Sequence, residues 1–254
     1  MAFNSRPYVN RYRPSNRFPT GVRWLLIVTI SVSILYYILS RTPGTPQFMD
    51  SLALIPLSVV QGFALWQPVT YLFLHGGIMH LLWNMLALWM FGMELERTWG
   101  TARFLKYYFL CGISAGFFVI VAAYLFGGIT IPTVGCSGAI YGILVAYAIV
   151  FPDRTLLFGF LIPMKAKWFV AIIGAVVLLQ SFGEIASGKN TGIAVLAHLG
   201  GLVTGYFYLR GRRLYAQSNQ LAAASFKEYK LRRAKKKFEI YLKKQDPRRG
   251  PWVN

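Results

Sequence analysis

Acid is what this chain has least of: eight Asp and Glu stand against 27 Lys and Arg, and charged residues of both signs make up only 14% of the sequence. Asp50, Asp153 and Asp246 all fall in connecting segments or the C-terminal tail. Cysteine is nearly absent too. Cys111 and Cys136 are the two present, both inside apolar runs, which excludes a disulfide framework and leaves them as small packing residues. There is no HExxH pattern, and no carboxylate is spaced to complete a histidine ligand set. The sequence therefore asks for no metal and no other cofactor.

Apolar residues fill the space that charge leaves. They make up 56% of the 254 residues, and the mean hydropathy is +0.47, too high for a soluble domain of this size. Six apolar segments can be drawn, near residues 22–40, 74–95, 104–126, 137–151, 166–182 and 193–209. The expected class is all-α, a polytopic membrane protein with six transmembrane helices. A basic N-terminal tail over residues 1–21, a six-helix domain over 22–210 and a basic amphipathic tail over 211–254 complete the division.

Charge sets the orientation. Six spans place both termini on one side of the membrane. The tails and the connections after spans two and four carry 25 of the 27 Lys and Arg, against Arg41 and Lys189 on the other side. The positive-inside bias predicts that both termini are cytoplasmic. The basic stretch before the first apolar run has scattered prolines, and that run is long enough to remain as a span rather than be cleaved. The connection from Arg41 to Leu74 is interrupted by Pro43, Pro46, Pro56 and Pro68 yet remains greasy, so a partly embedded, outward-facing structure is expected. In the C-terminal tail, Leu231, Ala234, Phe238 and Tyr241 recur at helical spacing among many cations. They are consistent with a helix on anionic lipid head groups, or with a solvated tail. Basic tails are common on membrane proteins for reasons of topology alone, so no nucleic-acid partner is inferred.

Polar groups inside hydrocarbon carry a functional prior, because burial without partners is costly. The three histidines, His75, His80 and His198, and the amide Asn84 all lie in or beside apolar segments. His80 and Asn84 are four residues apart and share a helix face, whereas His75 lies about 140° away from His80. Counting a rise of ~1.5 Å per residue, Ser137, His198 and Asn84 each lie roughly 20 Å from the cytoplasmic end of their helix. That is about 10 Å below the outer surface of a ~30 Å core. Gly138 and Gly142 form a GxxxG pair next to Ser137, and Gly201 and Gly205 form another one turn after His198. Small residues at this spacing let helices approach closely, which would bring a serine hydroxyl within reach of an imidazole base. Packing motifs, a helix N-cap and a carbonyl-bound histidine are the plain alternatives for these residues taken singly.

Four separated motifs resemble those of rhomboid intramembrane serine proteases of the compact six-span bacterial type. These are "HGGIMHLLWN", "GCSG" followed by Tyr141, "AHLGGLVTG", and the pair "LWQPVTYLFLH" and "ELERTWG". The likeness covers roughly residues 52–210. It implies a serine endopeptidase that cleaves peptide bonds in or near the transmembrane segments of other membrane proteins. Ser137 would be the nucleophile and His198 the general base, with Tyr141 stacked on the imidazole. His80, Asn84 and the Ser137 backbone N–H would form the oxyanion hole. Gly135 and Gly138 would give the nucleophile its flexible setting, and His75 would shape or hydrate the cavity. No acid lies in a span at the height of His198, so a dyad is expected; Glu184 is the only nearby external carboxylate. Gln67 stands where many relatives carry arginine, which predicts a different anchoring of the first loop. Non-catalytic relatives lack the Ser–His pair that is present here. A proton-relay transporter would show repeated halves or midplane acids, and neither is found.

Overall fold

A computed structural model describes residues 18–39, 50–158, 161–186 and 192–244. The N-terminal arginines up to Arg17, together with Arg41, Pro43, Pro46, Lys189 and Asp246, lie outside the described residues, as does the side chain of Glu184. The chain divides into two units, Met1–Leu209 and Arg210–Asn254.

Helix α1 spans Thr20–Leu39. Its opening amides are capped from a distance: the N–H groups of Gly21 and Val22 donate to the Glu96 carboxylate at 2.8 and 2.7 Å. The Thr101 hydroxyl donates to the same carboxylate at 2.6 Å. A buried acid here satisfies orphan donors and complements the positive helix end.

The described part of the first loop, from Asp50 to Gly77, is compact, with short helical turns at Pro56–Val60, Gln67–Thr70 and Tyr71–Phe73. Gln67 is buried and ties the loop to itself. Its carbonyl accepts the Ile55 N–H at 2.9 Å, and its amide donates to the Ser51 carbonyl at 3.1 Å. The Trp66 indole and Thr70 hydroxyl add bonds to Ser51 and Leu52 at 2.9 and 2.7 Å. Phe63, Leu65 and Trp66 project outward from this frame. A loop that satisfies its own backbone while exposing apolar side chains suits contact with lipid.

Helix α2 runs Ile78–Trp99, with a π-helical turn at Leu88–Gly92. The expected segment began at Leu74, but Leu74 and Gly77 are extended and the Gly76–Gly77 pair delays the helix. Gly100, at φ +81°, then turns the chain into α3, Thr101–Phe126. Both α1 and α3 are long and apolar enough to cross a membrane, as is α2.

Helix α4, Ser137–Val150, is different. At 14 residues it is about 21 Å long, shorter than a ~30 Å hydrocarbon core. Most of its residues are buried, and it packs most extensively on α3. Two buried tyrosines clasp the interior through carbonyls: Tyr107 donates to Gly142 at 2.7 Å and Tyr71 to Gly112 at 2.6 Å. An antiparallel hairpin follows α4, with β1 Thr155–Phe158 paired to β2 Ile162–Lys165. It lies in what the hydropathy pattern leaves as a plain connection. Helix α5 covers Ala166–Ala186, and α6 covers Gly192–Lys244, well past the apolar stretch that ends at Leu209.

The outward faces agree with that environment. Trp24, Ile34, Leu35 and Ile38 of α1 and Phe117, Leu125 and Phe126 of α3 are exposed, as are Ile172 and Leu179 of α5. Apolar belts of this extent belong against lipid. The chain is a multi-helix bundle that is integral to the membrane.

Candidate active site

The site is assembled from three places in the sequence: the start of α2, the start of α4 and the first unit's share of α6. Gly135 holds φ +118°, and its N–H donates to the Tyr71 carbonyl at 2.9 Å. A Cβ at this position would also strike His80, standing 2.7 Å from Cε1 and 3.0 Å from Nε2. The backbone angle requires glycine here, and a side chain would also displace the imidazole beside it. The turn it makes places Ser137 as the first residue of α4, where backbone N–H groups lack intrahelical acceptors.

A seam of bare backbone joins α4 to α6. A methyl group at Gly201 would meet the carbonyl oxygen of Gly138, and one at Gly205 would lie 3.1 Å from the Gly142 Cα. Gly138 itself faces the Ala197 carbonyl, which a methyl there would approach to 3.2 Å. The helices approach closely at these glycines, with the Tyr107 hydroxyl seated where Gly205 meets Gly142, and Ser137 and His198 come into contact. Ser137 Oγ lies 2.8 Å from His198 Nε2, within hydrogen-bond distance. Tyr141, one turn along α4, stacks on the His198 ring with centroids 4.5 Å apart and planes 24° apart. The stacking fixes the ring plane.

His80 and Asn84 belong to α2. His80 is exposed and Asn84 is buried, and the Asn84 amide donates one hydrogen to the His80 carbonyl at 3.0 Å. That bond uses one of the two amide hydrogens.

His75 is held apart from the Ser–His pair. It is buried, its Nδ1 lies 3.0 Å from the Ser33 hydroxyl of α1, and its Nε2 lies 3.7 Å from the Cys136 sulfur. The Ser33 hydroxyl also lies 2.9 Å from the Phe73 carbonyl, and the His75 ring meets His80 edge-on at 5.0 Å. His75 therefore links α1 to the residue preceding Ser137. It also lines a cavity of about 190 Å³ with Ser33, Ile34, Tyr37, Gly77, Ile78 and Leu81. Sequence reasoning missed Ser33. Its signal was a hydroxyl within a span, which costs less to bury than the ionisable and amide groups and so stands out less. Cys136 packs as expected, but against an imidazole.

A serine at a helix N-terminus, in contact with a stacked histidine inside a lipid-facing helical bundle, belongs to a multi-helix membrane protein with a polar centre. Residues 62–213 match the family model described as Rhomboid domain, and the chain belongs to the rhomboid family. It is 30% identical over 194 residues to rhomboid protease GluP of Bacillus subtilis (strain 168), covering 75% of this chain and 35% of that one. It is 31% identical over 141 residues to the putative rhomboid protease YdcA of the same strain, covering 56% and 64%. The mitochondrial Rhomboid protein 1 of Saccharomyces cerevisiae (strain ATCC 204508 / S288c) is 26% identical over 204 residues, covering 80% and 57%. The chain thus spans between 35% and 64% of the length of these relatives.

Proposed function

We propose that this protein is an intramembrane serine endopeptidase that hydrolyses peptide bonds in or near the transmembrane segments of other membrane proteins. The observation that carries the reading is the 2.8 Å hydrogen-bond contact between Ser137 Oγ and His198 Nε2. Nucleophile and base stand within transfer distance, which is the geometry that activates a weak hydroxyl.

In this mechanism His198 Nε2 takes the serine proton as Ser137 Oγ attacks the scissile carbonyl. The carbonyl oxygen becomes an oxyanion facing His80, the second amide hydrogen of Asn84 and the Ser137 N–H. Donors placed there stabilise the charge, typically the largest single catalytic contribution. His198 then protonates the leaving amine, and water completes hydrolysis of the acyl-enzyme. Tyr141 does the orienting work that an aspartate performs in soluble triads. Because α4 is short, its start is sunk about 9 Å into the core from one face, and the exposure of His80 supports access for water. The distribution of Lys and Arg supports cytoplasmic termini and an active site opening to the outer face, and the likeness to the two Bacillus subtilis proteins supports a bacterial inner membrane.

The test is cleavage of a generic membrane substrate by purified wild-type protein and by Ser137→Ala, with activity expected in the first and none in the second. Fluorophosphonate should label Ser137 in wild-type protein and fail to label it in His198→Ala. Equal cleavage by Ser137→Ala would show that the nucleophile lies elsewhere.

A further inference from the structure

Residues 230–242 lie in the second unit as part of α6, and their sequence separates two faces. At 100° per residue, Leu231, Ala234, Phe238, Tyr241 and Leu242 occupy an arc roughly 100° wide. No charged residue of the stretch falls inside that arc. Lys230, Arg232, Arg233, Lys235, Lys236, Lys237 and Glu239 fall outside it, and Ile240 is the one large apolar residue of the stretch on the far side. Leu231 is 61% exposed, Phe238 60% and Leu242 51%. Widening the count to residues 227–244 gives nine Lys and Arg against Glu228 and Glu239.

An apolar strip of aromatic and aliphatic side chains flanked by cations fits one chemistry best. We propose that residues 230–242 dock along a bilayer surface bearing anionic phospholipid, with Leu231, Phe238 and Leu242 inserted and the lysines and arginines at head-group level. Long cationic side chains can lay their methylenes over the strip while their charged ends meet phosphate. Tyrosine is favoured at that level, and Tyr241 sits on the edge of the strip. The first unit already resides in a membrane, so residues 230–242 are joined to it by about 20 residues of chain and docking needs little intrinsic affinity. A nucleic-acid surface would draw on the same cations, but it leaves the apolar strip without a role. This inference rests on membrane residence and is independent of the proteolytic reading.

The test uses full-length protein in lipid nanodiscs, where both faces of the bilayer are open to solution. Cys111 and Cys136 are buried, so a membrane-impermeant maleimide reports an introduced thiol. Phe238→Cys places that thiol on the strip, and Lys236→Cys places it about 160° away. In discs containing about 30% phosphatidylglycerol, Phe238→Cys should react at least about fivefold more slowly than in phosphatidylcholine discs. Lys236→Cys should react alike in both. Salt at about 0.5 M should restore much of the lost reactivity, because the attraction is screened. Equal rates for Phe238→Cys in the two lipid compositions overturn the proposal, as does protection that arises only after RNA or a soluble protein is added.

Discussion

Gly201→Ala tests whether the glycine seam sets the catalytic distance. A methyl group at this position would overlap the Gly138 carbonyl oxygen, with the carbonyl carbon at 2.7 Å and the Gly138 Cα at 3.1 Å, where ordinary contact begins near 3.4 Å. Every atom it strikes is backbone inside a helix, so no rotamer change relieves the clash, and α4 and α6 must part by about 1 Å. Ser137 adjoins the contact on one helix and His198 lies one turn from it on the other. Their 2.8 Å bond then stretches past ~3.5 Å, where it ceases to be a hydrogen bond. General-base catalysis contributes roughly 10²–10⁴-fold, and a 1 Å misplacement alone can cost about 10²-fold. We therefore expect kcat to fall by at least about 100-fold in a substrate-cleavage assay, with fluorophosphonate labelling slowed in parallel. Gly183→Ala is the control, because a methyl group there meets nothing within 4 Å. If Gly201→Ala cleaves and labels within about threefold of wild type, a margin expected of neutral surface changes, the seam does not hold the pair together.

Two further outcomes follow from buried polar anchors. Glu96→Ala removes the acceptor for the Gly21 and Val22 N–H groups and should destabilise the protein by about 2–4 kcal/mol. This is measurable as a lower unfolding midpoint in detergent, and Glu96→Gln should recover part of it; an unchanged midpoint for the alanine variant would mean that water caps α1 instead. Gln67→Ala frees the Ile55 N–H and removes one of the donors to the Ser51 carbonyl, which keeps the Trp66 indole, and should cost about 1–3 kcal/mol locally. Faster amide exchange at Ile55 and quicker proteolytic cutting near residues 51–55 would register it, whereas wild-type exchange would show that Trp66 and Thr70 suffice to hold the loop.

The apolar segments were legible because each depends on local composition: α1, α3 and α4 lie within a few residues of the runs drawn from hydropathy. Ser137 and His198 were legible for a related reason, since polar side chains in apolar runs announce themselves without knowledge of their partners. What stayed hidden depends on pairing across long separations. Nothing near Glu96 says that its acceptor oxygens serve amides 75 and 74 residues away. Nothing near Gln67 names Ser51 and Ile55 as its partners, although its departure from the family's arginine marked the position as unusual. The β1–β2 hairpin escaped because its strands are four residues each, too short for a periodic signal. The early start assigned to α2 reflects hydropathy, which does not register that two glycines favour extended backbone.

The separation of 61 residues between Ser137 and His198 also gives the site an order in time. A chain made from its N-terminus presents α4 well before α6, so the serine reaches the bilayer without its base. On the proposed function, the nascent protein is inert towards neighbouring helices, including its own, for that interval. Its competence then waits on insertion of the apolar segment that carries His198 and on the closing of its glycines against α4. On the same reading, a chain truncated before His198 holds a nucleophile without a base.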